Sequence, residues 1–226
     1  MYLAGMQKLS LLDFPGVVAC TLFTPGCNFR CPWCHNAGLV KGETQRVPQD
    51  EIIAYLQKRK GLLDGICISG GEPLMTDQVP AFMEEVKKLG FAVKLDTNGS
   101  YPERLRSILA KGLADYVAMD VKNTAARYAE TIGLAEAPVS RIRESISLLK
   151  GGKTPYEFRT TVVREFHSAE DIGEVAAELA GAAVWYLQPF RDAPEVPRKG
   201  LHAPDQLTME EFGSIGNRFI KTIIRN

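Results

Sequence analysis

Residues 65–99 read GICISGGEPLMTDQVPAFMEEVKKLGFAVKLDTNG. Two short apolar runs, Gly65–Ser69 and Phe91–Leu95, have the length and composition of buried strands. Each runs into a polar, glycine-bearing turn, Gly70-Gly71-Glu72-Pro73 after the first and Asp96-Thr97-Asn98-Gly99 after the second. Between them Val79, Phe82, Met83, Val86 and Leu89 recur at helical spacing, which predicts a helix over Val79–Leu89. Strand, turn, helix, strand is the unit that builds parallel sheets through right-handed crossovers.

The unit repeats outward in both directions. Upstream, Val17–Phe23 reads as a first strand. Pro48–Lys60 reads as a helix opened by proline and by Asp50 and Glu51, which suit the positive end of its dipole. Downstream, helices over Pro102–Ala110, Arg141–Leu149 and Ala169–Leu179 alternate with strands at Tyr116–Val121, Glu157–Val163 and Val184–Leu187. A loop with Pro189, Pro194, Pro197 and Pro204 then precedes a last helix over Thr208–Ile224. The expectation is one α/β domain over residues 1–226. It comprises a lead-in at 1–16, six β/α units at 17–190, and the proline-rich loop and closing helix at 191–226. Periodicity leaves two architectures open, a doubly wound sheet and a barrel of fewer than eight strands. Both collect ligands at the carboxyl ends of the strands, and the polar turns fall there.

The chain has 226 residues, 45% of them hydrophobic, enough for one sizeable core. Lys and Arg number 27 against 27 Asp and Glu, with no block of like charge. That speaks against a nucleic-acid or membrane-surface partner. Gln7, Lys8, Ser10 and Asp13 interrupt the N-terminal apolar residues, so no signal peptide is read there, and no run is long enough to span a bilayer. The expectation is a cytoplasmic protein, where five cysteines point to metal or redox chemistry rather than a disulfide framework.

Three of those cysteines lie in Cys27-Asn28-Phe29-Arg30-Cys31-Pro32-Trp33-Cys34, a C-x3-C-x2-C spacing in a turn-rich loop after the first strand. Thiolates suit zinc and iron–sulfur clusters. Structural zinc usually takes four ligands, whereas three thiolates on a four-iron cluster leave one iron free for a substrate or cofactor. A zinc knuckle completed from elsewhere, a non-catalytic iron–sulfur electron carrier, and three buried core thiols are the competing readings. Cys20 and Cys67 lie inside apolar strand patterns and read as core.

The loop resembles the signature of the radical S-adenosylmethionine superfamily, with Trp33 in its aromatic place. Ser69-Gly70-Gly71-Glu72-Pro73 is similar to the glycine-rich stretch of that family. Asp96-Thr97-Asn98-Gly99 and Met119-Asp120-Val121-Lys122 resemble those of glycyl-radical-enzyme activating enzymes. The string Lys8 to Gly16 with Cys34-His35-Asn36 resembles activating proteins of anaerobic ribonucleoside-triphosphate reductase, in the longer variety. The resemblance implies a partial (β/α)6 TIM-type barrel. Cys27, Cys31 and Cys34 would hold a 4Fe–4S cluster. Trp33, Gly70, Gly71, Glu72, Pro73, Thr97, Asn98, Asp120, Lys122 and Arg159 would bind S-adenosylmethionine, Lys122 at its carboxylate. Asp96, Thr97 and Asp120 would hold a monovalent cation. Arg159 could equally pair with a carboxylate such as Asp120.

The implied activity is reductive cleavage of S-adenosylmethionine to a 5′-deoxyadenosyl radical that takes hydrogen from a glycine of a partner enzyme. The electron donor would be flavodoxin or ferredoxin. The rival within the superfamily acts on a small molecule, as 7-carboxy-7-deazaguanine synthases do. Those usually follow the last cysteine with aspartate and threonine, where this chain has His35 and Asn36. Pyruvate formate-lyase activating enzymes carry a histidine after strand six, where this chain reads Leu187-Gln188-Pro189-Phe190-Arg191. His167 and His202 read as ordinary surface or loop residues.

Overall fold

The computed structural model describes residues 1–42, 44 and 46–225. In chain order the strands and helices are β1 (Tyr2–Leu3), β2 (Gly5–Ser10), β3 (Ala19–Thr24), α1 (Ala37–Lys41), β4 (Val47–Pro48), α2 (Gln49–Lys58), β5 (Gly65–Gly70), α3 (Gln78–Lys88), β6 (Ala92–Thr97), α4 (Pro102–Ala110), β7 (Tyr116–Asp120), α5 (Tyr128–Ile132), α6 (Val139–Gly151), β8 (Tyr156–Val162), α7 (Ala169–Glu178), β9 (Trp185–Pro189), α8 (Gln206–Gly216) and β10 (Thr222–Ile224). The main sheet has the order β10-β9-β8-β7-β6-β5-β3-β2. From β3 to β10 every pairing is parallel. The order advances in one direction without reversal. Right-handed crossovers therefore put all the helices on one face, and the sheet curls into a partial barrel. A doubly wound sheet would reverse at a switch point. Among the described residues no helix is long and apolar enough to cross a membrane.

Side chains alternate along each strand, so one face meets the helices and the other the barrel interior. Ile66, Ile68, Val93, Leu95, Val117, Met119 and Phe158 are fully buried in a core with Phe82, Met83, Leu105, Ile108 and Ile142 from the helices. The alternate positions are polar and meet one another inside the barrel: Lys94 with Asp96, and Arg159 with both Asp96 and Asp120.

The short elements β1, β4, α1 and α5 were not expected, and two larger features differ from the reading. Residues 5–10, read only as lead-in, form β2, antiparallel to β3 with Gly5 opposite Phe23 and Ser10 opposite Ala19. An antiparallel edge strand has one solvated face, so Gln7 and Lys8 break an apolar pattern without breaking the strand. The last helix does not run to Ile224. It stops at Gly216, where a Cβ would lie 2.5 Å from the Thr222 hydroxyl. The Asn217 amide donates to the carbonyls of Gly213 (2.9 Å) and Thr222 (3.2 Å), and its oxygen accepts from the Thr222 N–H (2.9 Å). The chain turns back, and the β-branched Thr222-Ile223-Ile224 adds β10 beside β9. The other expected elements stand within a residue or two.

Arg225, next after β10, donates to both oxygens of Glu157 at 3.0 Å each and lies 3.6 Å over the Tyr186 ring. Glu157 is only 1% exposed, with Tyr116 its other donor at 3.0 Å. Arg225→Met leaves that carboxylate nearly unpaired inside the barrel. The expected cost is roughly 3 kcal/mol, read as a lower urea midpoint. Adding Glu157→Gln is expected to recover part of it.

Candidate active site

The cysteine loop leaves β3 at Thr24 and is stitched to the turn after β5. Gly71 N–H donates to Thr24 O (3.0 Å) and Glu72 N–H to Gly26 O (2.9 Å). The two backbones are so close that a Cβ on Gly71 would lie 1.7 Å from Gly26 O, and one on Gly70 (φ +115°) would lie 2.4 Å from Thr24 N. No side chain fits between them, so this approach demands both glycines.

Cys27, Cys31 and Cys34, each half-buried, line one cavity of about 500 Å3. Trp33, Gly70, Gly71, Asp96, Thr97, Asn98, Asp120, Lys122 and Arg159 line it too. Sequence-predicted residues from five loops and strands therefore meet at the carboxyl end of the barrel. Glu72 and Pro73 are not on its wall. Burial raises the Cys27 and Cys31 thiols, Cys31 to about 12 despite the nearby Lys122 ammonium. The Phe29 N–H donates to Cys27 Sγ at 3.3 Å, and the Asn98 amide lies 3.9 Å from the same sulfur. Asn98 also donates to the Asn28 side chain (3.0 Å), and Asn28 to Ser100 (2.9 Å), tying the turn after β6 to the thiol loop.

Glu72 works below the cavity. It is 1% exposed and accepts from Leu74 N–H (2.9 Å), Thr97 Oγ1 (2.8 Å) and Asn98 N–H (2.6 Å). It thereby fastens the β5 turn to the β6 turn. Burial outweighs these donors and raises its carboxyl to about 7.

The cavity floor is a chain of charges. Arg159 Nε donates to Asp120 Oδ1 (2.9 Å), and its Nη1 lies 3.3 Å from Asp96 Oδ2. Lys122 Nζ donates to Asp120 Oδ2 (2.9 Å). Burial alone would raise the Asp96 and Asp120 carboxyls. Arg159 with Lys94 at Asp96, and with Lys122 at Asp120, reverses this and holds both below the usual carboxylate range. Burial would likewise lower Lys122, but Asp120 raises it overall. The pairing of Arg159 with Asp120, one of the two roles open for it, is thus present.

His167 lies in the loop between β8 and α7, as one of its two expected placements had it, but it is buried. It is 6% exposed; burial lowers its pKa and keeps the ring neutral. Its Nδ1 accepts from Val163 N–H at 3.0 Å, so Nε2 carries the proton and donates to Lys122 O at 2.8 Å. The ring fixes the backbone of the lysine that faces the thiols. His202 is exposed and pairs with Glu165. His35, Asn36, Asp13 and Gln188 also line the cavity; Asn36 donates to Gly70 O (3.1 Å) and His35 Nε2 lies 2.5 Å from Arg191 O. Lys94, buried within β6, was also missed. Its signal was a lysine inside an apolar strand, two residues before an aspartate. Trp33 is 3% exposed and packs on Phe166 at 4.7 Å. With Val163, Phe190, Val196 and Leu201 it forms a satellite cluster that pins the proline-rich loop over the cysteine loop.

A one-way parallel barrel with three soft thiol donors over polar strand ends is the arrangement that an iron–sulfur cluster with a second cofactor beside it would need. Residues 21–179 match the Radical SAM superfamily, and the chain belongs to that superfamily. It is 32% identical to a protein of Methanocaldococcus jannaschii named as a putative glycyl-radical enzyme activating enzyme, over 98% of this chain and 94% of that one. It is 30% identical to a 7-carboxy-7-deazaguanine synthase of Thermococcus kodakarensis, over 78% of this chain and 75% of that one. Among solved structures, Streptococcus suis SuiB bound to S-adenosylmethionine shares the fold at a TM-score of 0.68 and 16% identity, over 91% of this chain and 52% of that one. The family's cofactors, a 4Fe–4S cluster and S-adenosylmethionine, fit the residues present: three thiols face one cavity whose other walls offer glycine backbone and paired charges.

A carboxyl raised on folding gives stability that is full below its unfolded pKa and is lost as pH rises through the folded one. For Glu72 that window runs from about 4.5 to about 7. The stability of the protein is expected to fall across it by a component of about 3 kcal/mol. Glu72→Gln is expected to lack that component in urea midpoints taken from pH 5 to 8. An unchanged slope in the variant would refute the assignment.

Proposed function

We propose that this chain activates a partner enzyme by placing a glycyl radical on it. The partner is anaerobic ribonucleoside-triphosphate reductase, and the electron comes from a flavodoxin or ferredoxin. The observation that carries the reading is the side opening of the barrel. A second cavity of about 780 Å3 shares Asp13, His35, Arg159, Thr161 and Gln188 with the first. It is bounded by the loop between β2 and β3, where Leu11 and Leu12 are 68% and 90% exposed, and by Pro189 at the end of β9 with Arg191 and Ala193 after it. Exposed leucines at the rim of an open groove suit a protein partner. A peptide loop with glycine at its tip can enter such a groove without a side chain in its way. The likeness to an activating enzyme along nearly the whole chain supports the same reading.

When bound, the cluster and S-adenosylmethionine supply the reductive cleavage and the 5′-deoxyadenosyl radical. The chain's own residues bind and orient. Cys27, Cys31 and Cys34 would hold the cluster. Gly70, Gly71, Glu72 and Pro73 shape the turn that would lie beside the cofactor's amino group, and Lys122 would meet its carboxylate. Thr97, Asn98, Asp120 and Arg159 complete that wall, and Trp33 with its satellite cluster keeps water from one side. No side chain is assigned as a general base.

The competing reading is a small anionic substrate of the deazapurine type, which the synthase likeness favours. The second cavity is lined by four basic side chains. Three of them, Lys94, Arg159 and Arg225, are already committed to Asp96, Asp120 and Glu157. That leaves Arg191 for such a substrate.

The test mixes the reconstituted, reduced protein and S-adenosylmethionine with anaerobic ribonucleoside-triphosphate reductase. A glycyl radical on the reductase, seen by electron paramagnetic resonance, is expected. 5′-Deoxyadenosine formed without that radical, together with turnover of a deazapurine precursor, would overturn the reading. Cys31→Ala is expected to lose both the visible absorption of the cluster and all 5′-deoxyadenosine production. Activity retained in that variant would sink the ligand assignment.

A further inference from the structure

The expected monovalent-cation site does not fit the residues that would make it. Asp96 Oδ1 is held by the Lys94 ammonium. Asp96 Oδ2 accepts from the Ser69 hydroxyl at 3.0 Å and faces Arg159 Nη1 at 3.3 Å. Asp120 spends one oxygen on Arg159 and the other on Lys122, each at 2.9 Å. Thr97 Oγ1 donates to Glu72 and accepts from the Gly99 N–H at 3.1 Å. Every side-chain oxygen of the trio already has a donor, and three fixed cations sit on the two carboxylates.

Lys94 is the unusual member. Its side chain is 2% exposed, the least of the three, and it comes from within the barrel rather than from the strand-end loops. It shares a strand face with Asp96 two residues on, so the pairing is built into β6 and needs no loop to close. Its ammonium also lies 3.7 Å from Cys67 Sγ, a neutral neighbour, since burial raises that thiol far above its usual range. A lysine ammonium and a potassium ion carry the same charge and are close in size.

We propose that the Lys94 ammonium is a tethered monovalent cation, seated on Asp96 where a free ion would bind, so that this barrel needs no alkali cation. Lys94 is a positioning residue. It acts through Asp96, whose other oxygen faces the Arg159 guanidinium on the cavity floor. The inference concerns the cofactor-facing floor and stands whichever partner or substrate the enzyme takes.

The test uses the full chain, before and after cluster reconstitution, with thallium(I) as the cation probe read by its own nuclear resonance. The wild-type protein is expected to show no saturable thallium binding. Its melting temperature should be the same in potassium, sodium and choline chloride at equal ionic strength. Saturable binding to the wild type that potassium displaces would overturn the proposal, and this arm needs no variant. Lys94→Met opens the seat. It is expected to melt lower in choline, to recover by about 3 °C in potassium or ammonium, and to bind thallium. A general loss of packing would not discriminate between ions, so a variant that folds but recovers equally in choline and potassium would also overturn it.

Discussion

The carbonyl of Gly26 and the backbone of Gly71 pass within a distance that leaves no room for a side chain, and the geometry of the site follows from that contact. It fixes the thiol loop to the end of β5. Glu72, the next residue, fixes the end of β5 to the end of β6. Asn98 returns the connection to Asn28 inside the loop. Three consecutive carboxyl ends are joined in a closed circuit of hydrogen bonds. The thiols are thus positioned by backbone and buried amides rather than by their own packing. A rigid frame of this sort is what a cluster held by only three ligands requires.

Below that circuit the barrel interior replaces hydrophobic packing with alternating charge. Asp96 and Asp120 are each shared between two basic groups, and Arg159 spans Asp96 on β6 and Asp120 on β7 from its place on β8. Burying so many ions is costly unless every one is paired and hydrogen-bonded, and among the described residues no buried side-chain nitrogen or oxygen lacks a partner. Most apolar cohesion lies in the outer layer, where strands meet helices, with a satellite cluster around Trp33. The inner layer is free to serve chemistry.

Much of this was legible in the sequence because the β/α units obey two simple periods. The longer strands and helices from Val17 to Leu187 follow from apolar spacing, though the short α1, β4 and α5 do not, and the polar turns at the strand ends mark the cavity. Where reading failed, a non-local partner decided the outcome. Gly5–Ser10 looks like a lead-in until β3 is beside it. Thr222–Ile224 continues a helical pattern until Asn217 ends it and the β9 edge becomes available. The burial of His167 within its loop is not readable because its partners, Val163 and the Lys122 carbonyl, include one 45 positions away. Lys94 in an apolar strand was the clearest sign that the inner face of the sheet is ionic. Glu72 matched the family motif, yet its side chain turns away from the cavity to hold two loops together, a distinction that spacing cannot make.

Trp33 belongs to two structures at once. It lies between two of the three thiols in sequence, yet its indole is buried in a satellite cluster separate from the main core, with Phe190, Val196 and Leu201 from the proline-rich loop. Arg198 N–H donates to Pro32 O at 3.0 Å beside it. The proline-rich loop therefore shares one hydrophobic anchorage with the thiol loop and with Val163 and Phe166 at the end of β8. Peeling it away would expose the indole, and loosening the thiols would unseat the peptide that covers them. The two segments form one cooperative patch of local stability, so order at the metal-ligand loop and order at the rim of the side opening rise and fall together.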